Sequence, residues 1–324
     1  MPQKKLYLFD GSSYVYRAYY ALPPLKTKSG FPTGAIFGFL RMLLAFLKEK
    51  RPTHAAVVFD TPKRTFRSSI YSQYKAQRKA PPDDLKRQVP VIKELVKLLG
   101  IPVLEKEGYE ADDIIATLAK KFSQKGWEVI VYTPDKDMAQ LLSLKGVKIV
   151  NPLTEEEITP QKVEEKFGVK PEQIPSYLAL VGDKVDNIPG VEGIGPKRAR
   201  EILKQYHSVG EIIENWENLP PGVKKYLSKT SPEELKKWLQ LVELDSNVPL
   251  EVSENDLSLK KPDYEKLKKR LEELEMKSLL KELEKLQKSH LLEQKRLFWT
   301  FKLLFLPFPS APFGQSAPLK RVKL

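Results

Sequence analysis

A chain of 324 residues, 41% hydrophobic and 30% charged, is long enough for one large domain or two ordinary ones with a real core. It contains no cysteine, which excludes disulfides, thiolate zinc sites and cysteine nucleophiles, and its three histidines, His54, His207 and His290, are too scattered for a local histidine metal site. The net charge of +13 is concentrated: residues 1–100 hold 19 Lys/Arg against 6 Asp/Glu, the footprint of a polyanion binder. A lysine-rich solvated surface would give the same surplus, so charge alone does not decide.

In chain order, LYLFD (6–10) reads as a strand and TGAIFGFLRMLLAFLKEK (33–50) as a helix with apolar spacing. HAAVVFD (54–60) is a second strand, 81–100 a capped helix ending on glycine, and IPVLE (101–105) a third short strand. GYEADDIIATLA (108–119) opens a further helix; WEVIVYTPD (127–135) and VKIVNP (147–152) are strands four and five. Continuous apolar strands alternating with helices predict an α/β domain with a mostly parallel sheet covered on both faces. After about residue 155 the strand signals stop, and 159–167, 171–182, 196–206, 222–228, 231–246 and 262–289 read as helices or short turns. The stretch 291–324 differs in composition, with LFWTFKLLFLPFPSAPF followed by KRVKL. Its longest apolar run is broken by Lys302 and too short to span a bilayer. The N-terminus enters a strand pattern without a signal peptide, so a cytoplasmic protein is expected.

The acids fall in a pattern. Asp10, Asp60, Asp135 and Asp137 stand at or just beyond the carboxyl ends of predicted strands, where open α/β sheets place their sites. Glu110, Asp112 and Asp113 crowd the start of a helix at that same edge, and GDKVDN adds Asp183 and Asp186. Any one of these serves equally well as a cap or turn residue, each cap contributing roughly 0.3–1 kcal/mol. Nine on one edge without matching lysines would repel, and divalent oxygen-loving cations, Mg²⁺ or Mn²⁺, resolve that repulsion. So many ligands suit two ions, an arrangement that cleaves or transfers phosphodiesters. A helical wheel sets Glu110 and Asp112 on the shoulders of the apolar stripe and points Asp113 away, making it the least secure ligand from spacing.

Two basic elements accompany the acids. In residues 62–82, Lys63, Arg64, Arg67, Lys75, Arg78 and Lys79 interleave with Phe66, Tyr71 and Tyr74, and 67, 71, 74 and 78 share one helical face. Cations neutralise phosphates and rings stack on unpaired bases, although an amphipathic surface helix reads the same way. IPGVEGIGPKRAREIL (188–203) has glycines at 190, 193 and 195 before a basic helix carrying Lys197, Arg198 and Arg200, the pattern of a phosphate-binding helix–hairpin–helix.

These motifs together closely resemble the 5′ nuclease (5′→3′ exonuclease) domain of bacterial DNA polymerase I, a relative of the flap endonucleases. The resemblance rests on DGSSYVYRAYYALPPL, PTGAIFGFL, THAAVVFD, TFRSSIYSQYKAQR, PPDDL, GYEADDIIATLA, TPDKDMAQL, LVGDKVDNIPGVEGIGPKRA and LEELEMKSLLKEL, and covers about residues 4–289. It implies that Asp10, Asp60, Glu110, Asp112, Asp113, Asp135, Asp137, Asp183 and Asp186 bind two divalent ions, which restores Asp113 against the wheel. It further implies that Lys75 and Arg78 orient the scissile phosphate from a helical arch, that Arg17 and Arg67 contact nearby phosphates, and that Tyr74 stacks beside them. Gly190, Gly193, Gly195, Lys197 and Arg198 match the duplex-binding hairpin, which often also holds K⁺.

The resulting expectation is a 5′ nuclease (PIN-like) fold over 1–172 including the arch at 62–82, then a helical DNA-binding domain over 173–290 with the helix–hairpin–helix at 186–206, and an atypical tail over 291–324. The expected function is a Mg²⁺-dependent structure-specific 5′→3′ exonuclease and 5′-flap endonuclease acting on flaps, nicked or gapped duplexes and RNA-primed ends in replication and repair. The expected protein is monomeric, cytoplasmic and nucleoid-associated. Polymerase I continues far beyond LLKEL while this chain stops 41 residues after it, so a free-standing nuclease is expected, served by a separate DNA polymerase. The alternatives are a non-catalytic DNA junction binder and an RNA-preferring nuclease on the same scaffold.

Overall fold

The structure, a computed structural model, describes residues 3–152 and 154–304, the last twelve as backbone only. Residues 305–324 of the expected tail lie outside the described residues. Residues Met1–Leu283 form one compact unit.

Its centre is a six-stranded sheet ordered β3-β2-β1-β4-β5-β6. The strands are β1 (Lys5–Asp10), β2 (Ala55–Val58), β3 (Val103–Leu104), β4 (Glu128–Tyr132), β5 (Val147–Val150) and β6 (Glu157–Ile158). β1 to β5 are mutually parallel; β6, a strand the sequence pattern does not reveal, runs antiparallel beside β5. β6 is two residues long with a half-exposed pattern, too short for any periodicity. The order reverses between β1 and β4, so the topological switch point lies where Asp10 and the residues after Tyr132 emerge.

The connecting helices are α1 (Gly11–Ala21), α2 (Gly34–Lys50), α3 (Phe66–Ile70), α4 (Asp83–Leu98) and α5 (Ala111–Ser123). Alternation in β1 sets the two faces. Leu6 and Leu8 join Ile114, Ile115, Leu118 and Phe122 of α5 in one core. Tyr7 and Phe9 turn the other way, edge-on to Phe46 of α2 at centroid distances of 5.1 and 4.7 Å. At the other end of α2, the buried Gln88 of α4 accepts hydrogen bonds from Ala35 N (2.8 Å) and Ile36 N (3.2 Å), satisfying first-turn amides that no residue of α2 can reach.

After β6 come α6 (Pro160–Phe167), α7 (Ile174–Val181), α8 (Pro196–Gln205), α9 (Val209–Glu214), α10 (Pro221–Leu227), α11 (Pro232–Val242), α12 (Tyr264–Glu273) and α13 (Lys277–Leu304). A second core built on Ile174, Leu178, Ile202, Ile212, Leu235 and Trp238 holds the middle of this set together. The single helix expected over 262–289 is two, because Glu275 adopts φ 58° and breaks it. Residues 62–82 also differ from expectation. Only Phe66–Ile70 is helical, and turns follow, with Lys75 itself at φ 55°. Arg67, Tyr71, Tyr74 and Arg78 therefore do not share a helical face, and the segment is better described as a strap.

The hairpin spans 182–195 between α7 and α8, so its first helix lies upstream of the expected start at 186. Asp183 and Ile188 exchange both backbone hydrogen bonds, 2.9 and 2.8 Å, and close it. Gly190 sits at φ 70°, where a Cβ would lie 2.3 Å from Gly182 N. Gly190→Ala is expected to lower unfolding free energy by about 1–3 kcal/mol. Gly222→Ala, in α10 with nothing within 4 Å of its added methyl, is expected to be neutral or stabilising. Urea unfolding of the two variants side by side checks both.

Candidate metal centre and nucleic-acid interface

The carboxyl ends of β1, β2 and β4, the start of α5 and the turn after α7 surround one cleft. Eight of the nine expected acids line it: Asp10, Asp60, Glu110, Asp112, Asp135, Asp137, Asp183 and Asp186. Four of them accept from backbone amides. Asp10 caps α1, accepting from Ser13 N at 3.0 Å, and its other oxygen accepts from the Thr133 hydroxyl at 2.9 Å. Asp60 accepts from Ala111 N at 2.8 Å, tying the end of β2 to the first amide of α5. Asp135 accepts from Asp137 N at 2.9 Å, and Asp183 from Val185 N at 2.8 Å, both two-residue Asx turns.

Burial and mutual repulsion raise the affinity of three of these acids for protons. Burial, then the Asp60 charge, pushes Asp10 up to about 6 against the opposing hydrogen bonds from Ser13 and Thr133. Burial, then Asp135 and Asp183, pushes Asp137 up to about 8. Asp112 is driven well above the ordinary carboxylate range by burial and by Asp10, Asp135 and Asp60. Among the described residues, Asp137 Oδ1 is a buried oxygen with no hydrogen-bond partner.

The strap lies across this cleft. Lys75 Nζ donates to Glu110 Oε1 at 2.8 Å and stands 3.6 Å from Asp186 Oδ2. Arg78 pairs with Asp186 Oδ1. Burial opposes the charge on both cations, but Glu110 and Asp186 outweigh it at Lys75 and Asp186 does so at Arg78, so both are held charged. Two further bonds fix the contact: Lys75 N donates to Asp186 O at 2.9 Å, and the Asn187 side-chain amide to Gln73 O at 2.8 Å.

Three residues stand elsewhere than sequence reasoning placed them. Asp113 does not line the cleft. It is fully buried, and its oxygens accept two bonds of 2.7 Å from Arg67, one of 3.1 Å from Glu110 N and one of 2.9 Å from Asp245 N. Its direction is the one the helical wheel gives. Arg67, expected on a phosphate, is 2% exposed and also donates to Leu241 O (3.0 Å) and Glu243 O (2.8 Å). Tyr74, expected as an exposed stacking ring, packs in the helical core with its hydroxyl 3.2 Å from both Glu110 Oε2 and Asp186 Oδ2.

The other expected contacts are exposed except Gly190, which is buried against the Val181–Gly182 backbone. Arg17 is exposed on α1 and does not line the cleft, and Lys197 is exposed in the first turn of α8. Arg198 donates to Gly193 O and lies 4.8 Å from the Tyr226 ring centre, closing the hairpin onto α10. Gly193 takes φ 83°, and Gly195 is the extended N-cap of α8. Thr133 was not foreseen: fully buried, it donates to Asp10 and accepts from Asp135 N at 3.1 Å, coupling acids from two strands. Its only signal is its place two residues before Asp135.

Among the described residues no three acids stand in chelating geometry in this conformation, because Glu110 and Asp186 turn to the strap and Asp10 and Asp60 to amides. The donor chemistry nevertheless fits a divalent cation: oxygen ligands only, partly or fully buried apart from Asp60, crowded together, one of them an orphan. No helix among the described residues is long and apolar enough to cross a membrane.

Two family models match consecutive stretches of the chain: the 5′-3′ exonuclease N-terminal resolvase-like domain over residues 5–168 and the 5′-3′ exonuclease C-terminal SAM fold over 169–265. A 5′-3′ exonuclease of Aquifex aeolicus is 55% identical over 283 residues, covering 87% of this chain and 96% of that one. The thermostable DNA polymerase I of Thermus thermophilus is 43% identical over 282 residues; this chain spans 33% of its length. A T5 5′-exonuclease mutant superimposes with TM-score 0.57 at 27% identity, over 75% of this chain and 89% of that one. The T5 D15 protein co-crystallised with metal ions gives TM-score 0.63 at 23% identity, over 88% and 99%.

The raised carboxyls make stability depend on pH. In the unfolded chain these groups ionise in the ordinary carboxylate range, so their burial is least costly below it and costs more as pH rises through about 6 for Asp10 and about 8 for Asp137. In EDTA the melting temperature is expected to fall from about pH 5 to about pH 9, and the fall to be smaller in Asp137→Asn. Calorimetry across that range reads it directly.

Proposed function

The chain belongs to the 5′-3′ exonuclease family, and from that premise we propose that it is a structure-specific 5′→3′ nuclease, cutting 5′ flaps and the 5′ ends of nicked or gapped DNA. The observation that carries the reading is the cleft itself, eight carboxylates at a topological switch point with Lys75 and Arg78 reaching in from the strap.

Asp10, Asp60, Glu110, Asp112, Asp135, Asp137, Asp183 and Asp186 would share two Mg²⁺ or Mn²⁺. When bound, such ions supply a more acidic water and charge neutralisation at the leaving oxygen. The chain does the rest by position. Water attacks phosphorus, the bond to the 3′ oxygen breaks, and the products carry a 5′-phosphate and a 3′-hydroxyl. Lys75 and Arg78 would leave Glu110 and Asp186 for the non-bridging phosphate oxygens, trading one anionic partner for another within the cleft. That exchange frees both carboxylates for the cations. Tyr74, whose hydroxyl touches the same two acids, would keep its core position and limit how far they swing.

The duplex would lie along the hairpin and α8. The amide-rich turn at Gly193 and Gly195 and the exposed Lys197 offer phosphate contacts, and the hairpin backbone offers carbonyls for a K⁺ ion. Arg17 would meet phosphate outside the cleft.

With a 5′-flap duplex, Mg²⁺ is expected to give cleavage to 5′-phosphorylated product and EDTA none. Asp135→Ala is expected to cut at least about 100-fold more slowly while still binding the duplex, and Lys75→Ala with Arg78→Ala to lose a similar factor. Gel analysis of labelled product reads all of these; duplex binding without cleavage in Mg²⁺ overturns the reading.

A further inference from the structure

Arg67 lines the floor of the cleft with a guanidinium only 2% exposed, Asp113 does not reach it, and both bear on its shape. Arg67 is the second residue of α3, at the foot of the strap. Its Nη1 and Nη2 make two parallel bonds of 2.7 Å to Asp113, the third residue of α5. The same guanidinium donates to Leu241 O and Glu243 O at the end of α11. It therefore sits at the negative end of one helix while its carboxylate partner sits at the positive end of another, the favourable sense for both charges. Three chain segments far apart in sequence meet there.

Two contacts lead from this pair towards the chemistry. Asp113 Oδ2 accepts from Glu110 N at 3.1 Å, fixing the backbone of a cleft acid, and Arg67 Nη1 stands 3.6 Å from Glu110 Oε2. Farther along the strap, Tyr71 stacks edge-on against Trp238 of α11 at 5.3 Å, with Lys237 4.8 Å above the Tyr71 ring. The strap thus leaves a foot pinned to α11 and α5 and arrives at the turn 184–187, where Lys75 and Arg78 meet Asp186.

Resting on the nuclease reading above, we infer that Arg67 and Asp113 are positioning residues: their ion pair sets the Glu110 carboxylate and the start of the strap, and so the reach of Lys75 and Arg78. Asp113 is not a metal ligand and Arg67 is not a phosphate contact. Lysine cannot replace Arg67, since one ammonium cannot make the two parallel bonds to Asp113 and also serve two carbonyls.

The test compares wild type with Arg67→Lys, Arg67→Met, Asp113→Asn and the double variant Arg67→Met/Asp113→Asn, which removes both charges together and guards against a misfolded single variant. With a 5′-flap duplex, each variant is expected to lose about 10–100-fold in kcat with KM changed by less than about threefold, and saturating Mg²⁺ not to restore it. Mn²⁺ titration followed by electron paramagnetic resonance is expected to find the wild-type number of bound ions in Asp113→Asn. Trypsin is expected to cut after Lys75, Arg78 and Lys79 about 10-fold faster in Arg67→Met than in wild type. Loss of a bound ion in Asp113→Asn, or recovery of its kcat at high Mg²⁺, makes it a ligand and overturns the inference. A rise in KM alone for Arg67→Met makes that residue a phosphate contact, and a lowered melting temperature with kcat intact makes the pair structural only; either overturns it. Inactive wild type would instead count against the nuclease reading.

Discussion

One buried ion pair organises the approach to the cleft. Removing a guanidinium and a carboxylate from water is costly, and a buried pair is tolerated only when almost every remaining donor and acceptor is satisfied. Here Asp113 accepts four hydrogen bonds and Arg67 serves two helix-terminal carbonyls besides, so neither charge is left over. The two helix ends add their dipoles in the right sense. A pair so fully bonded is directional, and that direction is passed to α5, to the end of α11 and to the strap.

The cleft obeys the opposite rule. Its acids are gathered by topology, since parallel strands deliver their carboxyl ends to one edge and the switch point opens a crevice there. What the fold gathers it does not neutralise. Burial and repulsion hold Asp10, Asp112 and Asp137 protonated to unusually high pH, and Lys75 and Arg78 relieve only Glu110 and Asp186. A site in this condition favours added positive charge. The proposed cations and the strap cations compete for the same oxygens, and a phosphate that takes up Lys75 and Arg78 would settle the competition in favour of both.

Much of this could be read from sequence. Strand ends are short apolar runs with an aspartate behind them, so Asp10, Asp60 and Asp135 announce themselves, and helix starts such as Glu110 carry capping chemistry. What could not be read was direction. The residues of the strap suit an amphipathic helix, and only tertiary contacts to Asp186 and α11 hold Lys75 at a positive φ instead. Arg67 and Tyr74 are polar enough to suggest surface, yet both are buried because their partners lie on chain segments more than 30 residues away. Asp113 is the instructive residue: periodicity turned it away from its neighbours, the family resemblance turned it back, and the structure places it on Arg67. Thr133 left no pattern at all, because a single hydroxyl bridging two strands has no period.

The most direct measurement is anomalous diffraction from crystals of the protein soaked in Mn²⁺. Manganese peaks are expected among Asp10, Glu110, Asp112, Asp135 and their neighbours in the cleft, with Asp113 still bonded to Arg67 at 2.7 Å. An ion bound by Asp113 with Arg67 withdrawn, or no ion among the cleft acids, would contradict the account.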